Sequence, residues 1–198
     1  MNRAPLDVPR LRRVPRQARS RERLARMLDA AEALLVSEGA AALTTTRVAA
    51  AAGVSVGSLY QYLPDKEAIV EALAGRYLAE FEALMEELAE QAPFEDPVGT
   101  LIDAFATRYR ERPGYRALWF GRELTPALRA ADLENKSALA GALLRAVGLG
   151  EDLRTQAHAG VLIADALLQE AFRTDSPVLI DEAKRVLRLY LDDVLARD

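Results

Sequence analysis

The chain has 198 residues, of which 51% are hydrophobic and 28% are charged, a composition typical of a folded protein rather than a disordered one. No apolar run approaches the roughly 18 residues that span a bilayer, and the arginine-containing N-terminus lacks the apolar core of a secretory signal. We therefore expect no membrane segment and a cytoplasmic location. The absence of cysteine excludes disulfides and thiolate chemistry.

The net charge of −4 hides two oppositely charged parts of the chain. Residues 1–66 contain eleven Lys or Arg against six Asp or Glu, whereas the remaining residues contain fifteen against twenty-four. Such asymmetry indicates a polyanionic partner for the first part and a different task for the second. The arginines between Arg10 and Arg26 are the densest group, although an arginine-rich terminus alone is about as often a solvated tail.

The first predicted elements are an arm and a helix. Residues 1–19 contain three prolines and many arginines, so they are expected to form a flexible arm. Apolar residues then recur at the spacing of one helix face over 20–38. Gly39 suits the left-handed residue that ends a helix.

Two short helices are predicted next. Thr45 is the expected N-cap of a helix that Gly53 ends. Ser55 can cap a third helix running to about Leu63. A fourth helix is expected to begin at Pro64-Asp65, because proline is tolerated in a first turn and aspartate favours the helix dipole there.

Every later segment has a helical pattern, interrupted by proline and glycine. No alternating strand pattern and no internal repeat is present in the sequence. The fold class is therefore all-α. The fourth helix continues for about 25 residues after Lys66, and the later helices are predicted over residues 97–112, a short stretch with Tyr115, Trp119 and Phe120, and residues 126–147, 151–173 and 177–196.

The two short helices and their Gly-Val-Ser turn predict a helix-turn-helix unit. In that geometry the second short helix lies in the major groove of DNA while the first crosses the backbone. Inward packing is expected of Val48, Ala49, Ala52, Val54 and Leu59. The residues expected to face outward on the third helix are Val56, Gly57, Ser58, Tyr60, Gln61 and Tyr62.

The outward residues suit contacts with DNA. Hydroxyl groups of tyrosine and serine can donate to phosphate oxygens, and Gln61 can pair with an adenine edge. Val56 can touch a thymine methyl, Gly57 permits close approach, and Lys66 supplies a charge for a flanking phosphate. A plain helical turn would explain the same residue types. The candidate DNA-contacting residues are Arg16, Arg19, Thr45, Thr46, Ser55, Val56, Gly57, Ser58, Tyr60, Gln61, Tyr62 and Lys66.

The stretch TTTRVAAAAGVSVGSLYQYLPDKEAIVEAL resembles the DNA-binding signature of the TetR (tetracycline repressor) family of bacterial regulators. The match covers about residues 20–70 in unbroken register. Leu63 stands where the family usually has phenylalanine, and Val56 stands where a polar or basic residue is common. The matching positions are Thr45, Val48-Ala49, Ala52 to Ser55, Gly57 to Tyr60, Tyr62, Pro64 and Lys66.

The resemblance implies a domain plan with three parts. Residues 1–19 are the arm, which is expected to touch DNA, and residues 20–66 are the helix-turn-helix domain. Residues 67–198 are the domain that holds the inducer pocket and forms a homodimer through the last two helices. Those two helices are apolar on more than one face, which a dimer explains, although a thick intrachain core would explain it too.

Ten of the twelve aromatic residues lie beyond residue 76, where they could line a cavity for an apolar or aromatic inducer. Each one taken singly is more often a core residue, and the single histidine is more often structural. Asp165 and Arg122 are weaker polar candidates. The candidate ligand-binding residues are Tyr77, Phe81, Phe105, Tyr109, Tyr115, Trp119, Phe120 and His158.

The resemblance predicts a ligand-responsive repressor that binds an inverted-repeat operator, and two other functions compete with it. A helical enzyme or carrier has little support, because the sequence has one histidine, no metal-spaced cluster and no phosphate-cradling glycine loop. We therefore expect no catalytic residue, metal or cofactor. A ligand-independent architectural or chromosome-associated DNA-binding protein stays open, since the same helix-turn-helix would serve it.

Overall fold

The computed structural model describes residues 17–120 and 126–196, apart from the side chain at position 127. Within these ranges all regular structure is helical and no strand occurs, which confirms the all-α prediction. Arg16, most of the predicted arm, and Arg122 lie outside the described residues. The helices are α1 (Ala18–Glu38), α2 (Thr45–Ala51), α3 (Val56–Tyr60), α4 (Lys66–Gln91), α5 (Pro97–Glu111), α6 (Pro113–Trp119), α7 (Pro126–Val147), α8 (Arg154–Thr174) and α9 (Pro177–Leu195), with short 3₁₀ turns at Ala40–Ala42 and Glu151–Leu153.

Prolines and glycines set several helix boundaries. Helices α5, α7 and α9 begin at Pro97, Pro126 and Pro177, in first-turn positions where the missing N–H costs no hydrogen bond. Helix α1 ends before Gly39, whose φ of 82° is readily adopted only by glycine. These four boundaries agree with the predicted ones.

The predicted N-cap of α2 was wrong by one residue. Thr44, not Thr45, has extended backbone, and its side-chain oxygen accepts a hydrogen bond from the backbone N–H of Arg47 at 3.3 Å. Thr45 is the first helical residue. Three consecutive threonines offer equivalent hydroxyls, so only the backbone turn after Leu43 distinguishes them.

The first compact unit contains the described residues up to Glu80 together with those of Pro113–Leu128. In this unit α1 packs against α2 and α6, and α2 packs against α3. Helix α1 therefore supports the two short helices. The most deeply buried side chains of the unit are Met27, Leu35, Leu43, Val48, Leu59, Leu63, Ile69, Leu73, Tyr77 and Leu78.

The second compact unit contains Phe81–Arg112 and the described residues from Arg129 onward. Here α8 and α9 pack along each other, and α5 packs against both. The predicted domain boundary at residue 66 stays a prediction, because it divides the chain by function rather than by compactness. No helix in the described ranges has the length and apolarity needed to cross a membrane.

Candidate functional site

A tight turn between α2 and α3 forms a bihelical corner. Gly53 follows α2 with a φ of 65°, and the N–H of Val54 bonds back to the carbonyl of Ala49 at 3.0 Å. Ser55 then caps α3, because its side-chain oxygen accepts from the N–H of Ser58 at 3.1 Å. The left-handed glycine and the serine cap are the two features that the predicted Gly-Val-Ser turn requires.

The inner side of this corner matches the predicted packing. Val48, Ala49 and Leu59 are fully buried, and Ala52 and Val54 are half-buried. Small residues on α2 let the short helices approach α1 closely. The corner is thereby held by apolar contacts on one side and leaves its other side to solvent.

The outer side carries most of the candidate DNA-contacting residues. Tyr60 is 41% exposed, and its hydroxyl lies 3.3 Å from Oγ1 of Thr45, so the end of α3 is tied to the start of α2. This contact holds the phenol at the rim of the corner. The other exposed candidates are Arg19, Thr46, Ser55, Gly57, Gln61 and Lys66, and Thr45, Val56 and Ser58 are half-buried.

The prediction that Tyr62 faces outward was wrong. Its side chain is only 3% exposed, and the neighbouring Leu63 is fully buried. Helix α3 ends at Tyr60 instead of continuing to Leu63, and the N–H groups of both Tyr62 and Leu63 bond to the carbonyl of Leu59. Residues 62 and 63 follow Leu59 by three and four positions, so all three lie on the same, inward face.

The sequence prediction missed Arg47. This residue lies on α2, with an exposed side chain whose Nη2 is 2.5 Å from Oε1 of Glu38. The hydrogen bond lowers the pKa of the Glu38 carboxyl and raises that of the Arg47 guanidinium. Arg47 follows the candidate Thr46 directly and lies in the first turn of α2. That position could have identified it as a candidate DNA contact from the sequence.

The candidate ligand-binding aromatics form one group in each compact unit. In the first unit, Tyr115 stacks on Trp119 at 4.8 Å and meets Tyr77 and Phe120 edge-on. This group belongs to α4, α6 and the residue after α6. Its members are buried except for Phe120, which is half-buried.

The aromatic group of the second unit surrounds Tyr109. Phe81 and Phe105 stack with 5.4 Å between ring centroids, and Tyr109 meets Phe81 edge-on at 5.5 Å. Phe172 of α8, which was not among the candidates, lies 5.6 Å from Tyr109. His158 is half-buried on the same helix.

A charged network links α1 with α4 inside the first unit. Arg76 forms ion pairs with Asp29, at 2.7 Å, and with Glu32. The adjacent Tyr77 is buried, and burial together with the Glu32 carboxylate raises the pKa of its phenol. Gly114 of α6 lies directly over this hydroxyl, since a Cβ there would be 2.1 Å from it.

Two family models match the chain. The model described as "Bacterial regulatory proteins, tetR family" matches residues 27–73, which include the whole corner. The model described as "Tetracyclin repressor-like, C-terminal domain" matches residues 92–195. The chain belongs to the TetR family of bacterial transcriptional regulators. As in that family, α2 and α3 are the DNA-binding helix-turn-helix, and the C-terminal helices form the ligand-binding domain.

Solved structures agree with the TetR assignment. A TetR-family transcriptional regulator from Streptomyces coelicolor is 33% identical over 89% of this chain and 99% of that one, with a TM-score of 0.71. The multidrug binding protein EbrR, complexed with ethidium, is 26% identical over 85% and 98%, with a TM-score of 0.65. A TetR regulator from Haloarcula marismortui, 17% identical over 87% and 98% with a TM-score of 0.70, shows the fold alone. No curated protein matches the chain.

Proposed function

We propose that this TetR-family protein is a cytoplasmic repressor that a small molecule releases from an inverted-repeat operator, and that it acts by binding rather than by catalysis. The observation that carries the proposal is the two-sided corner. Leu59 is buried on its inner side, while Gly57, Tyr60 and Gln61 are exposed on its outer side. A helix in the major groove needs such a rim of hydrogen-bonding and small residues.

The proposed DNA contacts divide by chemistry. Gln61 and Val56 are assigned to base edges. Gly57 has no side chain, so the backbone of α3 can come close to the DNA. Tyr60 and Lys66 are assigned to phosphates, which position the protein without reading sequence. The remaining proposed contacts are Arg16, Arg19, Thr45, Thr46, Ser55 and Ser58, to which we now add Arg47.

The proposed inducer is an apolar or aromatic small molecule. The two aromatic groups support this choice, and the relative EbrR was solved with ethidium. Helix α4 begins in the DNA-binding part and contributes Phe81 to the second unit, so it is the proposed link between ligand and DNA. The ligand must bind the arrangement of the protein that releases DNA more tightly than the arrangement that binds it. A difference of about 1.4 kcal/mol between these two binding free energies changes operator affinity tenfold.

We propose a homodimer that forms through α8 and α9. Large apolar side chains stay exposed on both helices within a single chain, namely Leu162, Val178, Leu189 and Leu195. A contiguous apolar patch marks an interaction surface, and we propose that these four side chains belong to one. A two-fold dimer would present two reading helices to successive major grooves.

The double substitution Leu162→Arg/Leu189→Arg should convert the dimer to a monomer, because four buried guanidinium groups would meet across the two-fold axis. Sedimentation velocity measures the change, and affinity for an inverted-repeat operator should fall with it. Leu133→Arg is the matched control, since Leu133 is equally exposed on α7 (60%, against 59% for Leu189). An unchanged sedimentation coefficient in the double variant would contradict the proposed interface.

Selection of genomic fragments with the purified protein tests the function. A repressor is expected to enrich one or a few promoter fragments that contain an inverted repeat, with affinity that falls as salt rises. Enrichment of all fragments alike would instead favour the ligand-independent architectural protein. Compounds can then be screened for release of the enriched fragment, and a regulator that no compound releases would contradict the ligand-responsive part.

Lys66→Ala and Gln61→Ala should weaken DNA binding in different ways. Loss of Lys66 should reduce affinity for all sequences and lower the salt slope by about 1, because one phosphate contact is lost. Loss of Gln61 should relax preference at one base pair of each half-site, typically by about 1–3 kcal/mol. Fluorescence anisotropy with operator variants at several salt concentrations separates the two. Glu67→Ala, one residue after Lys66, is the control that should not reduce affinity.

A further inference from the structure

A half-buried ion cluster joins α7 and α8 inside the second unit. Lys136 Nζ lies 2.7 Å from Oδ2 of Asp132 and 2.7 Å from Oδ2 of Asp165. Gln169 Nε2 donates to the same Oδ2 of Asp165 at 2.8 Å. Among the described residues both contacts of Asp165 use one oxygen, so the lone pairs of Oδ1 are available there for a further donor.

A buried acceptor lies beside this cluster. Asn135 is 9% exposed, and its Oδ1 is buried and accepts no hydrogen bond from the described residues. Residues 132, 135 and 136 lie on one stripe of α7, whereas Leu133 and Glu134 are exposed, so Asn135 faces inward with the ion cluster. A buried amide oxygen without a donor costs free energy, and an N–H group supplied by a ligand would remove that cost.

The aromatic group of the second unit lies farther along the same face of α8. Phe172 follows Asp165 by seven residues, which is two helical turns or about 10 Å. Its ring meets Tyr109, and the Arg110 guanidinium carbon lies 5.8 Å from its centroid. One face of Phe172 thus already holds a cation. Phe105 and Phe172 are half-buried, so these rings are not fully covered by the protein.

We propose that the second unit binds an aromatic organic cation with N–H donors. Its charged nitrogen donates to Oδ1 of Asp165 and Oδ1 of Asn135, and its rings pack at Phe105 and Phe172. An anionic ligand would meet the Asp165 carboxylate and leave the Asn135 oxygen without a donor. The proposed ligand class rests on the proposed function, because the cation would be the inducer of the ligand-responsive repressor.

Dansylcadaverine is a suitable probe, since a fluorescent naphthalene is joined by a flexible chain to a primary ammonium. Its N-acetylated form has the same rings without the charge. The full-length protein is expected to bind dansylcadaverine about tenfold more tightly than the acetylated form, as a charged hydrogen bond requires. Fluorescence titration without DNA measures both affinities.

Asp165→Asn should abolish the difference between the two probes by weakening dansylcadaverine alone. Asp103→Asn is the matched control, because it removes the same charge from an exposed carboxylate of α5 in the same unit, paired with Lys184. The control should keep the full tenfold difference. Circular dichroism establishes that each variant is folded.

Asn135→Leu keeps the inference testable even if Asp165→Asn does not fold. The substitution removes the acceptor and keeps the branched shape of the side chain, and the larger size of leucine offsets part of the stability gained by removing an unpaired oxygen. Dansylcadaverine affinity should nevertheless fall severalfold. Unchanged affinity in a folded Asn135→Leu variant would show that Asn135 has no ligand role, and would overturn this part of the inference.

The inference fails if wild-type protein does not bind dansylcadaverine, or if both probes bind equally. Neither result depends on DNA, so the proposed repressor function would be unaffected. Conversely, a protein that binds the cation through Asp165 but that neither this cation nor any screened compound releases from its operator would contradict the ligand-responsive function and leave the inference standing.

Discussion

Replacing Tyr62 by alanine should lower the free energy of unfolding by about 3 kcal/mol, whereas the same change at Tyr60 should leave it nearly unchanged. The two tyrosines are separated by one residue, yet Tyr62 is 3% exposed and Tyr60 is 41% exposed. Truncation of Tyr62 removes a buried ring beside Leu59 and Leu63 and leaves a cavity. Chemical denaturation measures the difference.

The DNA affinities of the two variants should show the opposite order. Tyr60→Ala removes an exposed hydroxyl, bonded to Thr45, that we assign to a phosphate, and should weaken binding while the fold stays intact. Tyr62→Phe is the control for the buried position, because it retains the ring and should keep most of the stability. Equal losses of stability in the two alanine variants would contradict the assignment of Tyr62 to the core.

The helical fold and the corner could be predicted because their signals are local. Proline at a first turn and glycine with positive φ act within a few residues, so the boundaries at Pro97, Pro126 and Pro177 were found without tertiary information. The turn at Gly53 and Ser55 is equally local. Local signals also failed where several residues were equivalent, as among the three threonines at the start of α2.

The face of Tyr62 was missed although its spacing from Leu59 indicated it. Helix α3 has five residues, which is too short for periodicity to outweigh an expectation based on residue type. The expectation that tyrosine hydroxyls face DNA placed Tyr62 on the outer rim, although a helix continuing to Leu63 would also have put it on the face of Leu59. In the structure the chain turns after Tyr60, and the ring of Tyr62 is buried in the core.

Contacts between distant segments could not be predicted. The pairing of Arg76 with Asp29 and Glu32 joins residues separated by more than forty positions, and no local pattern encodes it. The same holds for the contact of Phe172 with Tyr109. Amphipathic spacing indicates which face of a helix is buried but not which helix covers it.

Gly114→Ala should lower the free energy of unfolding by about 2 kcal/mol, the typical cost of forcing an extra carbon into a packed core. A Cβ at this position would lie 2.1 Å from the Tyr77 hydroxyl and 2.6 Å from Oε1 of Glu32. Neither neighbour can yield easily, because the Tyr77 ring is buried and Glu32 is held by Arg76. Thermal or chemical unfolding measures the loss.

Gly57→Ala is the matched control, since no atom lies within 4 Å of a Cβ there and the residue is helical. Its stability should be unchanged or raised by up to about 1 kcal/mol through helix propensity, and only its DNA affinity should fall.

Tyr77→Phe removes the atom that the methyl group of Gly114→Ala would meet. The double variant Gly114→Ala/Tyr77→Phe should therefore be more stable than the sum of the single effects. Strict additivity would mean that the cost of Gly114→Ala arises elsewhere than at the phenol of Tyr77.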